Sequence, residues 1–306
     1  MKKIETAALI GLGAIGCFFA EGLYQGLGEN FRILAGGSRA ARLREQGTTI
    51  NGTLHRFPIV DPAEETGPAD LIIIAVKDTA LDEAIRDIRN QVGPDTIILS
   101  VLNGVSSEER VAAVYGWEHV LYSLMRVSSM MRDGVCSFDA SSGAVFFGEA
   151  RNDVLSDRVL AVKELFDACG IRSVIEPDMI HSIWYKYMAN VGENMTCAVL
   201  GIPFGEFRTN DEANWLREAA MREVQAIAKA KGVDLTEEDF RRQGDTVKGL
   251  RPGNKPSTLQ DLERGRRTEV DLFAGNVVRM GRELGIPTPV NEVYCHMIRA
   301  LEQKNG

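Results

Sequence analysis

Three polar side chains follow one another at intervals of four residues in the stretch SIWYKYMANVGENM, residues 182–195. They are Lys186, Asn190 and Asn194, and at about 100° per residue they fall within roughly 80° of one helical face. An ammonium supplies positive charge and N–H donors, and a carboxamide supplies both a donor and an acceptor. Their neighbours, such as Trp184, are of the types that pack in a core. Packing does not explain the polar set, so we treat it as a candidate functional site.

A glycine fingerprint stands near the start of the chain, where G-x-G-x-x-G follows the apolar run AALI and precedes a helical pattern. The first glycine of such a turn allows a tight bend, the second lets backbone approach a pyrophosphate, and the third lets the helix pack closely on the strand. The helix N-terminus offers amide donors to the anion. A purely structural glycine turn is the alternative. With this context the pattern predicts a dinucleotide-binding turn formed by Gly11, Leu12, Gly13, Ala14, Ile15 and Gly16.

The end of the second predicted strand bears on which dinucleotide binds. An NAD site usually has Asp or Glu there to hold the ribose 2′-hydroxyl. The segment ILAGGSRAAR contains no acid, and Ser38, Arg39 and Arg42 suit a 2′-phosphate instead. The sequence therefore favours NADPH, with arginines that only coat the outside of a helix as the alternative.

The elements that must position these residues fall into two parts. In the first, strands without polar alternation (AALI, FRIL, DLIIIAVK, TIILSVLNG) are separated by helices, which predicts a parallel sheet covered on both faces. In the second, helical patterns follow almost without a break, over 178–200, 210–232, 236–248 and 257–284. We predict a doubly wound α/β domain over 1–176 and an all-helical domain over 177–306.

Composition argues against several classes of function. The 306 residues carry a formal net charge of −8 and no basic block, which argues against a nucleic-acid partner. Five cysteines without CxxC spacing predict reduced thiols in a cytoplasmic protein. The isolated histidines predict no metal site, and no segment approaches a transmembrane span, so we expect no membrane partner.

Three more polar residues need an explanation. Ser257-x-x-Gln260 is a capping-box pattern, which predicts that Ser257 is a helix N-cap. Glu269 comes twelve residues later and, on one continuous helix, would lie about 120° around the axis. Asn103 follows a parallel strand at its carboxyl end, where such sheets bind ligands, although an Asn-Gly turn needs no ligand.

Taken in order, these motifs resemble the ketopantoate reductase family over essentially the whole chain. The residues that carry the resemblance are the glycine fingerprint, AVK with Lys77, LNG with Asn103, W-x-K-x-x-x-N-x-x-x-N from Trp184 to Asn194, and PSTLQD…RRTEVD…G from Ser257 through Glu269 to Gly275.

The resemblance implies a Rossmann-like domain followed by a helical domain like the C-terminal domain of 6-phosphogluconate dehydrogenase. It implies an NADP-dependent oxidoreductase acting on CH–OH, which reduces a 2-keto acid to a 2-hydroxy acid, as from ketopantoate to pantoate for coenzyme A. Lys186 matches the family's general acid toward the carbonyl oxygen, and Glu269 matches the glutamate that orients it.

The remaining motif residues match binding positions of the family. Asn190, Asn194 and Ser257 match substrate contacts, Lys77 would lie beside the cofactor, and Asn103 would lie where nicotinamide and substrate meet. The long C-terminal helices offer a surface for a homodimer.

Several positions depart from the family pattern and leave the substrate open. Gly36 stands where the family often has arginine, so Arg39 would have to take that role, and Phe204 stands where many members have an asparagine. The region 122–134 brings Arg126 and Arg132 near the expected cleft. Two alternatives therefore stay open: a related dehydrogenase acting on a 3-hydroxy acid or an imine, and a regulatory protein that senses NADPH without turnover.

Overall fold

The structure is a computed structural model that describes residues 3–127, 129–132, 134–139 and 143–305. It contains two compact units, Met1–Ile180 and His181–Gly306. The strands of the first unit are Ala7–Ile10 (β1), Phe31–Leu34 (β2), Thr48–Ile50 (β3), Thr53–His55 (β4), Ile59–Val60 (β5), Leu71–Ile74 (β6), Ile97–Ser100 (β7), Val120–Arg126 (β8), Ser129–Arg132 (β9), Val135–Phe138 (β10), Ala144–Gly148 (β11) and Ser173–Val174 (β12).

The helices continue through both units. Those of the first unit are Ala14–Leu27 (α1), Gly37–Gln46 (α2), Leu81–Asp87 (α3), Ser107–Tyr115 (α4) and Asp157–Ala168 (α5). Met179–Leu200 (α6) begins at the division, and the second unit continues with Asp211–Ala230 (α7), Glu237–Gly249 (α8), Ser257–Glu263 (α9), a π-helical turn Asp271–Gly275, Asn276–Leu284 (α10) and Pro289–Asn305 (α11).

An eight-stranded sheet organises the first unit, in the order β12-β11-β8-β7-β6-β1-β2-β5. Every residue of β1, β2, β6 and β7 is buried, as runs without polar alternation predict for a parallel sheet covered on both faces. The buried Arg32 of β2 donates from Nε to Gln91 Oε1 over 2.6 Å. One face packs on α1 and α5 through Phe19 and Phe166, and the other packs on α3 and α4 through Ile85 and Val111. The predicted fold class, a Rossmann-like α/β domain followed by an all-helical one, is confirmed.

Part of the first unit departs from the predicted parallel sheet. Strand β11 runs antiparallel to β8, and a separate four-stranded sheet has the order β4-β3-β10-β9. Strands β3 and β4 were not predicted, and they have only three residues each. Segments this short carry too few alternations to be recognised by periodicity.

The predicted continuous helix over 257–284 is wrong, because α9 ends at Glu263. Gly265 adopts φ +62 and its N–H donates to the carbonyl of Leu262, while the N–H of Arg266 donates to the carbonyl of Asp261. These two bonds form a Schellman motif, which terminates helices at a glycine in the left-handed conformation. The chain then runs irregularly to the π turn before α10 resumes.

The predicted capping box at the start of α9 is also wrong. Pro256 is the N-cap, so Ser257 is the first residue of the helix, and the N-cap receives no side-chain hydrogen bond. The amide of Gln260 donates instead to the carbonyl oxygen of Lys255 over 2.8 Å. The Ser257 hydroxyl therefore has no capping role.

Candidate functional site

The three glycines of the turn after β1 differ in their surroundings: two are tightly packed against backbone, and one borders open space. Gly11 has φ +99, and a Cβ there would lie 2.5 Å from the carbonyl carbon of Ala75, in the segment after β6. A Cβ at Gly16 would overlap the carbonyl oxygen of Gly11, whereas a Cβ at Gly13 would meet nothing within 4 Å. The fold therefore needs Gly11 and Gly16, and Gly13 leaves room for a ligand to approach the backbone.

Helix α1 begins at this turn with Gly13 as its N-cap, and it has neither a side-chain cap nor an acid in its first turn. The first amides of a helix have no intrahelical acceptors, so this end suits an anion. Strand β1 lies between β6 and β2, where the strand order reverses. Ligands of open α/β sheets bind at such a switch point.

The N-terminus of α2 is, like that of α1, a region of positive electrostatic potential. Its N-cap, Gly36, makes no side-chain cap, its first turn contains no acid, and Arg39 lies in that turn. Partial burial and the nearby charge of Arg42 lower the pKa of Arg39. A positive side chain at a helix N-terminus is unfavourable unless an anion is bound there.

Asp61 lies at the same place, although the sequence of β2 contains no acid. It follows β5, which pairs with β2, and an ideal Cβ on Gly36 would lie 3.4 Å from Asp61 Oδ2. Asp61 was not predicted, because the acid of an NAD site is expected at the end of β2 itself. The available signal was an Asp directly after the apolar pair Ile59–Val60.

Lys77 and Asn103 follow the next two strands along the sheet. Lys77 comes after β6 with an exposed side chain, and its carbonyl accepts the N–H of Ala80 over 2.9 Å. Asn103 comes after β7 and is half-buried, next to Gly104, which has φ +100. The structure thus brings the glycine turn, Arg39, Lys77 and Asn103 to the carboxyl edge of four adjacent strands.

In the second unit, α6 carries the polar line predicted from its spacing. Lys186 and Asn190 are half-buried, and Asn194 is 8% exposed. Next to Asn194, Glu193 Oε1 accepts a hydrogen bond from Gln243 Nε2 over 2.7 Å. Arg217 Nη1 lies 3.5 Å from the same oxygen. Burial raises the pKa of Glu193 to about 7, against the lowering effect of these two partners.

Glu269 lies two residues before the π turn and not on the helix that carries Ser257. It is half-buried, and its carbonyl oxygen accepts the N–H groups of Leu272 and Phe273 over 3.0 and 3.1 Å. The preceding residue, Thr268, donates its backbone N–H and its hydroxyl to Glu302 Oε1 on α11, both over 2.7 Å. The position of Glu269 is therefore set by its own backbone hydrogen bonds and by the bonds between Thr268 and Glu302.

Tyr187 connects the two segments of the second unit that carry the predicted catalytic residues. It is 1% exposed, its hydroxyl donates to the carbonyl oxygen of Phe273 in the π turn over 2.7 Å, and the carbonyl oxygen of Leu272 lies 3.3 Å from the same hydroxyl. Burial raises the pKa of this phenol far above its usual range, so the hydroxyl stays a donor. Sequence reasoning assigned no role to Tyr187, because its partners lie 85 and 86 residues away.

The remaining predicted positions lie in several places. Ser257 is exposed at the start of α9, whose Leu259 shares a core cluster with Cys197 of α6. Phe204 is half-buried, and its N–H donates to the carbonyl of Asn254 over 2.9 Å.

The two arginines of the 122–134 region belong to the first unit. The Arg126 guanidinium lies 4.9 Å from the ring centroid of Phe146, on the neighbouring strand β11. The side chain of Arg132 lies outside the described residues.

Membrane-spanning helices and metal-binding clusters are both absent from the part of the chain that the structure describes. Within it, no helix combines the length and apolar character needed to cross a membrane. The same residues contain no group of three or more His, Cys, Asp or Glu side chains arranged to hold a metal ion.

Comparisons with protein families match both parts of the chain. The family described as "Ketopantoate reductase PanE/ApbA" matches residues 7–152, and "Ketopantoate reductase PanE/ApbA C terminal" matches residues 178–302. Among curated proteins, a 2-dehydropantoate 2-reductase of Streptococcus pyogenes serotype M6 is 27% identical over 297 residues, which cover 96% of this chain and 95% of that protein.

Two solved structures have a similar fold. D-mandelate dehydrogenase, in a ternary structure with NADH and anilino(oxo)acetate, is 24% identical with a TM-score of 0.84, over 98% of this chain and 99% of that one. A dimeric ketopantoate reductase of Staphylococcus aureus is 22% identical with a TM-score of 0.80, over 98% of this chain and 100% of that one. Because the two family matches together span most of the sequence in the expected order, the chain belongs to the ketopantoate reductase family.

Proposed function

We propose that the protein is an NADPH-dependent oxidoreductase that reduces a 2-keto acid to a 2-hydroxy acid, with ketopantoate as the first candidate substrate. In this proposal residues 1–176 hold the cofactor and residues 177–306 hold the substrate and the proton donor. The observation that carries it is the half-buried Lys186 on α6, beside Tyr187, which grips the turn after Glu269. Membership of the family supports the reaction type.

The cofactor site would use residues at the carboxyl edge of the sheet. The open space at Gly13 and the uncapped start of α1 fit a pyrophosphate, and Arg39 with Arg42 fits a 2′-phosphate. Lys77 and Asn103, after the neighbouring strands, would contact the remainder of the molecule. When bound, NADPH supplies the hydride that adds to the keto carbon of the substrate.

Lys186 would complete the reduction. As the keto carbon gains a hydride, its oxygen becomes an alkoxide, which the Lys186 ammonium stabilises and then protonates from Nζ. Partial burial strengthens this charge interaction, because the local dielectric is lower than that of water. Glu269 would orient the ammonium, and Asn190, Asn194 and Ser257 would bind the carboxylate and hydroxyl groups of the substrate.

A second candidate substrate class is a 2-keto acid with a large apolar side chain. Phe204 makes part of the expected pocket apolar, where an amide is common among family members that form pantoate. The similar fold of D-mandelate dehydrogenase, solved with NADH and anilino(oxo)acetate, supports testing aromatic 2-keto acids.

The test is an NADPH-oxidation assay with the purified protein and a panel of keto acids. The panel contains ketopantoate, 2-ketoisovalerate, pyruvate and phenylglyoxylate, with a 3-keto acid and an imine as representatives of the related dehydrogenases. We expect turnover with at least one 2-keto acid and highest kcat/KM for ketopantoate. Binding of NADPH without turnover of any compound would support a sensor and contradict the proposed function.

The oligomeric state and the cellular location of the protein are further parts of the proposal. We propose a homodimer, which the dimeric reductase of Staphylococcus aureus supports. Light scattering coupled to size-exclusion chromatography of the purified protein tests it. The five cysteines are all free thiols, which supports a reducing, cytoplasmic location. Fractionation of cells that produce the protein tests this location.

A further inference from the structure

We propose that Asp61 binds the ribose 2′-hydroxyl of NADH, so that the protein accepts NADH as well as NADPH. The inference rests on the proposed function, because it requires that the glycine turn bind a nicotinamide dinucleotide. It adds a determinant of cofactor choice that neither the glycine fingerprint nor the sequence of β2 contains.

The sheet brings Asp61 to the position where an NAD site needs an acid. Strand β5 lies beside β2, and the N–H of Ala35 donates to the carbonyl of Val60 over 3.1 Å. The next residue on each strand is then Gly36 and Asp61, and an ideal Cβ on Gly36 would lie 3.4 Å from Asp61 Oδ2. A carboxylate at the end of the second strand is the group that accepts a hydrogen bond from the ribose 2′-hydroxyl in NAD sites.

The turn that contains Asp61 holds the carboxylate in place. Asp61 Oδ1 accepts the N–H of Ala63 over 3.0 Å, and the Asp61 N–H donates to Glu64 Oε1 over 3.0 Å. Arg44 on α2 donates to the carbonyl of Ile59 over 3.1 Å and ties the turn to the helix. Within the described part of the chain, no residue donates a hydrogen bond to Oδ2, the oxygen nearest to Gly36.

Charges of both signs meet at this end of β2. Arg39 and Arg42 attract a 2′-phosphate, whereas Asp61 repels it and favours a hydroxyl. Asp87 on α3 adds negative charge: burial and the charge of Glu83 raise its pKa, and Asp61 contributes to the same rise. Because neither sign dominates, we expect the two cofactors to bind with affinities within about tenfold of each other.

The test measures the Kd of each cofactor by fluorescence titration, without substrate. Asp61→Asn keeps an Oδ1 acceptor for the Ala63 N–H but removes the charge. We expect it to weaken NADH about tenfold and to tighten NADPH severalfold, because a charge-assisted hydrogen bond and a repulsion are both lost. Glu65→Gln, which removes one exposed acid four residues away, is the matched control and should change neither Kd by more than about twofold.

The outcomes separate this inference from the proposed function. An NADH Kd that stays within about twofold in Asp61→Asn, or a wild type that binds NADPH but not NADH, overturns the role of Asp61 and leaves NADPH-dependent turnover intact. A wild type that binds neither cofactor overturns the proposed function itself. Thermal melting verifies folding, and Asp61→Ser, whose hydroxyl also accepts from the Ala63 N–H, replaces Asp61→Asn if that variant does not fold.

Discussion

The Tyr187 hydroxyl donates a hydrogen bond to the backbone carbonyl oxygen of Phe273 over 2.7 Å. A π turn shifts backbone bonding from the α-helical pattern, and such turns occur frequently at functional sites. Tyr187 follows Lys186 on α6, and the π turn begins two residues after Glu269. This bond therefore links the helix that carries the proposed proton donor to the turn that follows its proposed partner.

Tyr187→Phe should lower both stability and turnover. Removing the hydroxyl leaves buried carbonyl groups with fewer donors, so the free energy of unfolding should fall by about 1–2 kcal/mol. If the bond also positions Glu269, kcat should fall about tenfold while the Kd of NADPH stays within about twofold. Denaturant unfolding and steady-state kinetics measure these effects.

Tyr294→Phe is the matched control. The Tyr294 hydroxyl is also buried and shares a hydrogen bond of 2.7 Å with Thr196 Oγ1 of α6, but within the described residues it makes no hydrogen bond to the π turn. We expect a comparable loss of stability with unchanged kcat. An equal decrease of kcat in both variants would show that Tyr187 acts only through stability.

Lys186→Ala should lower kcat by about 10²–10⁴-fold, the range for loss of a general acid, while NADPH binds nearly as before. Lys186→Arg keeps the positive charge but not a group that releases a proton near neutral pH, so it should recover little activity. Lys229→Ala, at an exposed lysine on α7, is the control. Normal turnover by Lys186→Ala would exclude the proposed mechanism.

The glycines of the fingerprint should respond differently to alanine. Gly13→Ala introduces a Cβ into open space, so stability should change by less than about 1 kcal/mol while the Kd of NADPH rises at least tenfold. Gly16→Ala pushes a Cβ into the carbonyl of Gly11 and should destabilise the first unit by several kcal/mol. Thermal melting with cofactor titration distinguishes the two, and unchanged NADPH affinity in Gly13→Ala would argue against pyrophosphate binding there.

The buried carboxyl of Glu108 should make stability depend on pH. Burial raises its pKa from 4.5 to about 7, and its hydrogen-bond donors are neutral: Ser107 Oγ at 2.9 Å and the N–H of Ser123 at 3.3 Å. Between these two pKa values the folded state keeps a proton that the unfolded state has lost. Stability therefore decreases as the pH rises from about 4.5 to about 7, by at most about 1.4 kcal/mol per pH unit, and this contribution levels off above that interval.

Glu108→Gln isolates this contribution, because glutamine is neutral at every pH and still accepts the Ser123 N–H. Its unfolding free energy should vary less than that of the wild type between about pH 5 and pH 7. The difference in slope should be at most about 1.4 kcal/mol per pH unit. Glu118→Gln, at an exposed residue after α4, should retain the wild-type profile. Glu109→Gln should lower the pKa of Glu108 slightly, because the charge of Glu109 contributes to its rise. Identical profiles for wild type and Glu108→Gln would contradict the shifted pKa.

Much of the fold could be predicted because its signals are local. Mostly apolar runs without polar alternation predict the buried parallel strands β1, β2, β6 and β7, since a strand covered on both faces has few positions for a polar side chain. The four-residue spacing of Lys186, Asn190 and Asn194 likewise predicts a shared helical face from covalent geometry alone. The short strands β3 and β4 were not predicted, because three residues are too few to reveal a two-residue period.

The sequence by itself determined the buried strands β1, β2, β6 and β7, the glycine turn and the polar face of α6, because each depends on residues close together along the chain. Only the tertiary structure decided where Glu269 lies, since Gly265 ends α9 and a contact from Tyr187, more than eighty residues earlier, holds the turn that follows. It also decided that Asp61 stands at the end of β2, because strand pairing makes neighbours of residues 25 positions apart, such as Gly36 and Asp61. Pairing between distant segments leaves no local pattern in the sequence, and it is at such contacts that the candidate site acquires its specific groups.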